Sequence, residues 1–270
     1  MMVEQDHYSR GLRLLKEYAE LALASQVLGL AAALLIAPAL VGFFAELSRN
    51  GWAAAPPRFS GSLALLVVAG ALALVGAALN LAAVYARLIP AGDSLARWRA
   101  VFSSPAKLMK YGYWAALGLG VLTLVVAAAS IAPILGELLR LAEPLRGPPG
   151  STGSLGQEAG MQLVFGLLSA LLVAIFAAIA AFVGWIGQVM LLFELSSQTG
   201  VQGFRTAAIL VILSMLTGFA SVIPYVGLVL ALLPAALVIA ALVIIRESSL
   251  RALLPPPPGA APGGTSTTAP

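Results

Sequence analysis

Uncharged apolar runs separated by short polar clusters organise this chain. Leu21 to Ala45 and Ser62 to Ala86 each have the length of a membrane-crossing helix, since roughly 20 residues at ~1.5 Å each cover a hydrocarbon core of ~30 Å. Tyr111 to Leu135 supplies a third such run. Met161 to Phe193 would reach ~50 Å as a helix, so it must tilt, break or project past the lipid. Thr206 to Ile245 is about twice the length of a normal span. Proline removes a helix hydrogen bond and clashes with the preceding turn, so Pro224, with Tyr225 and Gly227, divides this run into Thr206 to Val222 and Gly227 to Ile245. The pattern predicts an all-α, polytopic membrane helical bundle with six transmembrane helices in residues 21–246. If the last run formed one crossing and a re-entrant segment, five crossings would result and the C-terminal tail would lie outside, open to glycosylation.

The polar clusters have periodicities of their own. Ahead of the first run, Leu12, Leu15, Ala19 and Ala22 recur at helical spacing, while Arg13 with Glu17 and Lys16 with Glu20 make i,i+4 pairs on other faces. Residues 1–20 are therefore an amphipathic helix, either the first turns of the first span projecting into water or a helix that senses lipid. In the cluster 87–110, Asp93 or Ser94 can cap a helix that places Leu95, Trp98 and Phe102 on one face and turns Arg97 away. Ser103 or Ser104 before Pro105 then starts the helix of the third span. Glu46 to Gly61 is a short outer loop, and Gly136 to Gly160, with Pro144, Pro148 and Pro149, an irregular one. Glu194 to Arg205 is a polar turn. Residues 247–270, with Pro255 to Pro258 followed by Gly, Ala, Ser and Thr, form a disordered Pro/Gly-rich tail.

Composition identifies the solvent. A hydrophobic fraction of 60%, a charged fraction of 10% and a mean hydropathy of +0.99 belong to an integral membrane protein; soluble chains carry about a quarter charged residues. Charge sets the direction of threading. Arg87, Arg97, Arg99, Lys107 and Lys110 stand against Asp93 alone, so the positive-inside rule holds loop 87–110 in the cytoplasm as an amphipathic segment on the inner leaflet. Six crossings then place both termini in the cytoplasm of a cell-membrane protein, with eleven of the 15 Lys and Arg inside and four outside. Gly184, Trp185 and Gly187 mark the same interface. The net charge of +4 and the pI near 9.7 follow from this orientation, and no nucleic-acid partner is implied. With no cysteine the chain has no disulfide, thiolate metal site or cysteine nucleophile. Acids mixed with bases before a full-length span argue against a cleaved signal peptide.

Chemistry is sparse. His7, the single histidine, has only Glu4 and Asp6 near it and is expected to be a solvated residue rather than a metal ligand. The spans hold no ionisable group at depth, where each would cost roughly 2.5–3.5 kcal/mol on insertion scales. No Walker loop, HExxH or GxSxG motif or carboxylate pair appears, and Gly118-x-Gly120 lacks the remainder of a nucleotide fingerprint. The expectation is a protein that is not an enzyme and has no catalytic, cofactor or metal site. Asn80, Gln188, Ser214, Thr217 and Ser221 are the candidate residues for a polar path or for contacts between helices; Ser214, Thr217 and Ser221 share one helix face. Small residues at i,i+4 (Gly112, Ala116 and Gly120; Gly166, Ala170, Ala174 and Ala178) allow close helix packing or contact with a second copy. Lys16 with Pro38, Lys110 with Pro133 and Arg205 with Pro224, each followed by Gly42, Gly136 or Gly227, fit three repeated hairpins.

Gly11-Leu12-Arg13-Leu14-Leu15-Lys16, Lys110-Tyr111-Gly112-Tyr113, Ile223-Pro224-Tyr225-Val226-Gly227 and the proline tail together resemble an archaeal family of multi-pass membrane proteins catalogued as a domain of unknown function. The resemblance covers most of the chain and implies the architecture. It carries over no binding or catalytic residue. Two functions stay open: a non-catalytic protein that organises or partners with membrane components, and a channel or carrier for a small neutral or apolar solute. The second requires Asn80, Gln188 and the Ser/Thr face to meet around a cavity.

Overall fold

The computed structural model describes residues 2–50, 60–142, 152–220 and 232–254, and these are helical almost throughout. Helix α1 is Met2–Asn50, α2 Ser60–Ala82, α3 Ile89–Trp98, α4 Ser103–Ala142, α5 Thr152–Thr199, α6 Gln202–Ala220 and α7 Leu233–Leu253. Six helical segments are long and apolar enough to cross a membrane, running within Gln5–Gly42, Ala64–Trp98, Ala100–Ala132, Leu163–Thr199, Gln202–Ala220 and Leu233–Leu253. The predicted polytopic bundle of six spans is therefore the fold. The predicted outer turn at Pro224, residues 51–59 and 143–151 of the two outer loops, and residues 255–270 of the tail lie outside the described residues.

The helices run further than the polar clusters imply. α1 continues through Pro38, and α4 carries on past Pro133 and Gly136 to Ala142, seven residues into the predicted irregular loop. α5 begins at Thr152 within that same loop, and it is unbroken to Thr199, which rules out a break in the long fourth run. The predicted turn at Glu194 reduces to Gly200 and Val201. Gly200 takes φ 69° and its N–H donates to Ser196 O at 3.0 Å, a left-handed cap that glycine adopts without a Cβ penalty. Among the described residues the helix of the sixth span is Leu233–Leu253, with Pro234 in its first turn; the expected start at Gly227 lies outside them. It ends at Leu253, so residues 247–253 are helix and not tail. Helix formation satisfies the backbone wherever no glycine cap or proline intervenes, and a charged side chain alone does not end it.

A helix start at Asp93 or Ser94 is likewise corrected. Pro90 has no N–H to offer Ala86, and the chain absorbs the defect as a π-turn over Ala83–Leu88, where the Ile89 N–H donates to Val84 O five residues back. α3 grows directly from this turn, leaving Asp93 and Ser94 in its interior. Its face is as expected: Leu95 and Phe102 are buried, Trp98 is half-buried and Arg97 exposed. A 3-10 turn at Ala100–Phe102 leads into α4 at Ser103, the predicted start.

The chain divides into two compact units, residues 1–103 with 189–270, and residues 104–188. In the first, α1 packs along α2, α3 and α7, and α6 pairs with α7. Leu12, Leu15, Ala19 and Ala22, the apolar stripe of the N-terminal turns, are all buried, and Gly11 lies against Leu95. Protein therefore covers the stripe, as it would in the opening turns of a long spanning helix. Glu17 pairs with Arg87 at 3.0 Å instead of Arg13, whereas Lys16 and Glu20 form the expected pair at 3.8 Å.

In the second unit α4 and α5 are an antiparallel hairpin with constant register. Gly187 meets the backbone of Met109, Gly112 that of Gly184, and Gly166 the side chain of Ser130. From Gly112 to Ser130 the chain advances eighteen residues, and from Gly184 to Gly166 it retreats eighteen. At 3.6 residues per turn that is about five turns, which returns both helices to the same face. Gly184 and Gly187 thus act as packing positions. Of the predicted small-residue rows, Gly112, Gly166 and Ala170 are packed, whereas Gly120 faces open space and Ala178 is exposed.

Candidate functional site

The predicted polar residues described in the first unit differ in environment. Asn80 is exposed on α2. Ser214 is buried, but its hydroxyl donates back to Val211 O at 2.8 Å, within α6. Thr217 likewise reaches Leu213 O at 2.9 Å and Ser214 O at 3.0 Å. Gln188 is buried in the second unit, where its Oε1 accepts the Tyr113 hydroxyl at 2.9 Å. Ser221 lies outside the described residues. These side chains are committed to their own helix, to a neighbouring aromatic or to the exposed surface.

Sequence reasoning missed Ser25. Its hydroxyl donates to Gly76 O at 2.8 Å, joining α1 to α2 within their apolar runs. The usable signal was a small polar residue in one span and a glycine in the next. The other hairpins show the same pairing: Ser130 against Gly166, and Ser248 against Gly203. A glycine brings the backbones close enough for a serine to fill the gap, the contact that membrane helices use where lipid gives no hydrophobic push.

The charged and aromatic side chains assemble at one end of the first unit. Tyr8 of α1 packs on Trp98 of α3, ring centroids 4.4 Å apart, and Trp98 stacks on Phe102 at 5.7 Å. Arg99 lies 4.8 Å over the Trp98 ring and donates to Gln198 at the end of α5. The Tyr8 hydroxyl donates to Ala252 O of α7 at 3.3 Å. The start of α1, the end of α7 and the α3–α4 corner are thus fastened together. Arg246 donates to Glu20 at 2.9 Å a little further along.

Beside this knot is a cavity of about 420 Å³ lined by Asp6, Ser9, Arg10, Arg13, Leu14, Glu17 and Arg87. Its walls come from two elements. Arg10 and Arg13 are one helical turn apart on α1, and Arg87 enters from the π-turn, where the wider coil aims it at Glu17. The sequence hid this convergence, because a π-turn leaves no periodic signature. Compared with known proteins, the chain matches no family model, no curated protein and no solved structure.

Proposed function

We propose that the protein is a non-catalytic integral membrane protein that organises or binds other membrane components, placed in the cell membrane with both termini cytoplasmic. One observation carries this reading: most of the polar side chains described within the spans bond to their own helix or to a neighbouring one. Ser25, Ser214, Thr217 and Gln188 hold helices together or bond within them, and Asn80 stands exposed. A channel or carrier would need such groups around a common cavity, whereas Asn80 is exposed and Ser214 buried. The excess of Lys and Arg in loop 87–110 supports the cytoplasmic assignment. Membership of the archaeal family of unknown function is proposed on the quoted motifs alone.

Cross-linking in native membranes followed by affinity recovery should return a stoichiometric membrane partner or a second copy of the chain. Liposomes holding the purified protein should pass small neutral solutes no faster than empty ones. Protein-dependent flux would overturn the reading.

A further inference from the structure

We propose that Arg10, Arg13 and Arg87 form a binding site for a phosphate-bearing anion. Arg10, Arg13 and Arg87 line one open cavity of about 420 Å³, within the ~300–1,000 Å³ typical of small-ligand sites. Arg87 pairs with Glu17 at 3.0 Å, both side chains remaining about half exposed. Arg10 and Arg13 make no ion pair among the described residues, although Asp6 and Glu17 line the same cavity. Two like charges one turn apart on a helix repel each other. A phosphate group between them relieves that repulsion and accepts the forked N–H donors of both, the geometry that suits guanidinium to phosphate. Asp6 opposes the anion, so the site is tuned towards a moderate affinity.

Position along α1 leaves two sources for the phosphate. Leu21 opens the uncharged run; Glu17 precedes it by ~6 Å, Arg13 by ~12 Å and Arg10 by ~16 Å at 1.5 Å per residue. Headgroup layers extend roughly 5–8 Å beyond the hydrocarbon, so the Glu17–Arg87 pair lies within that layer and the backbones of Arg13 and Arg10 stand beyond its outer edge. A soluble phosphate reaches that level directly, and a lipid phosphate is met by arginine side chains that extend back towards the headgroups.

The test uses the full chain in phosphatidylcholine nanodiscs. In the soluble arm, inorganic phosphate and pyrophosphate are titrated by calorimetry. In the lipid arm, phosphatidylglycerol is added as a minor component and its retention on the released protein is read by native mass spectrometry. Binding in the first arm alone identifies a soluble anion as the source, and retention in the second identifies the headgroup. In either case Arg10→Gln with Arg13→Gln should weaken binding by about tenfold or more, as the loss of charge-assisted contacts requires, and Asp6→Asn should strengthen it. Arg251→Gln, a basic residue of the same unit that does not line the cavity, should leave it unchanged. Absence of binding in both arms overturns the proposal, and so does equal binding by a double variant whose thermal unfolding matches the parent. Should the double variant fail to fold, Asp6→Asn decides: binding that is unchanged or weaker refutes the site.

Discussion

Gly112 and Gly120 stand about two turns apart on α4, and a methyl group has opposite effects on them. A Cβ at Gly112 would fall 2.6 Å from Gly184 Cα, whereas one at Gly120 meets nothing within 4 Å. Gly112→Ala should lower stability by about 1–3 kcal/mol through overpacking, and Gly120→Ala should raise it by up to about 1 kcal/mol through helix propensity. Unfolding in mixed detergent micelles measures both, and equal responses would refute the constant α4–α5 register. Ser25→Ala should cost about 0.6 kcal/mol, the usual value of a hydrogen bond between membrane helices. Polarity drew attention to Asn80, Ser214 and Thr217, but polarity does not say which helix a side chain meets. Ser25 and Gly76 read as two small residues among many alanines until the backbones are brought together.

Helices show what was legible at the next scale and why the rest was not. The apolar runs located all six spans, because length and charge depletion are the properties that lipid selects. Their ends were misplaced where a Pro/Gly-rich or charged cluster was taken for a terminus, at Gly136, Glu194 and Glu247. Charge marks the edge of the lipid, and only a backbone device ends the helix. Gly200 is such a device, with φ 69°. Gly200→Ala should therefore destabilise the α5–α6 junction by about 1–2 kcal/mol, the cost of a Cβ in the left-handed region, and local hydrogen exchange would report it. The Glu20–Arg246 pair, with side chains 42% and 45% exposed, is a weaker link. A double-mutant cycle should give less than ~1 kcal/mol, falling as salt is added.

For the molecule as a whole, the contact between Tyr8 and Ala252 puts the beginning of α1 and the end of α7 at the same end of the first unit. An even number of crossings does the same, which agrees with six spans rather than five. The parent chain has no cysteine and gives a clean background for labelling. Gln5→Cys and Leu254→Cys should react with an impermeant maleimide from one and the same side of sealed vesicles. Labelling from opposite sides would refute the threading.

The length of α1 reaches beyond the bilayer. Its 49 residues form a rod of ~73 Å. Membranes with headgroups are about 40–45 Å thick, and even a tilt of about 40°, the upper end of what spanning helices show, leaves a rise of ~56 Å. At least ~10 Å must therefore stand clear of the lipid. Atomic force microscopy of supported bilayers should find the protein as raised relief on the face from which the amino terminus emerges, and topography flush with the lipid there would show that the rod is broken.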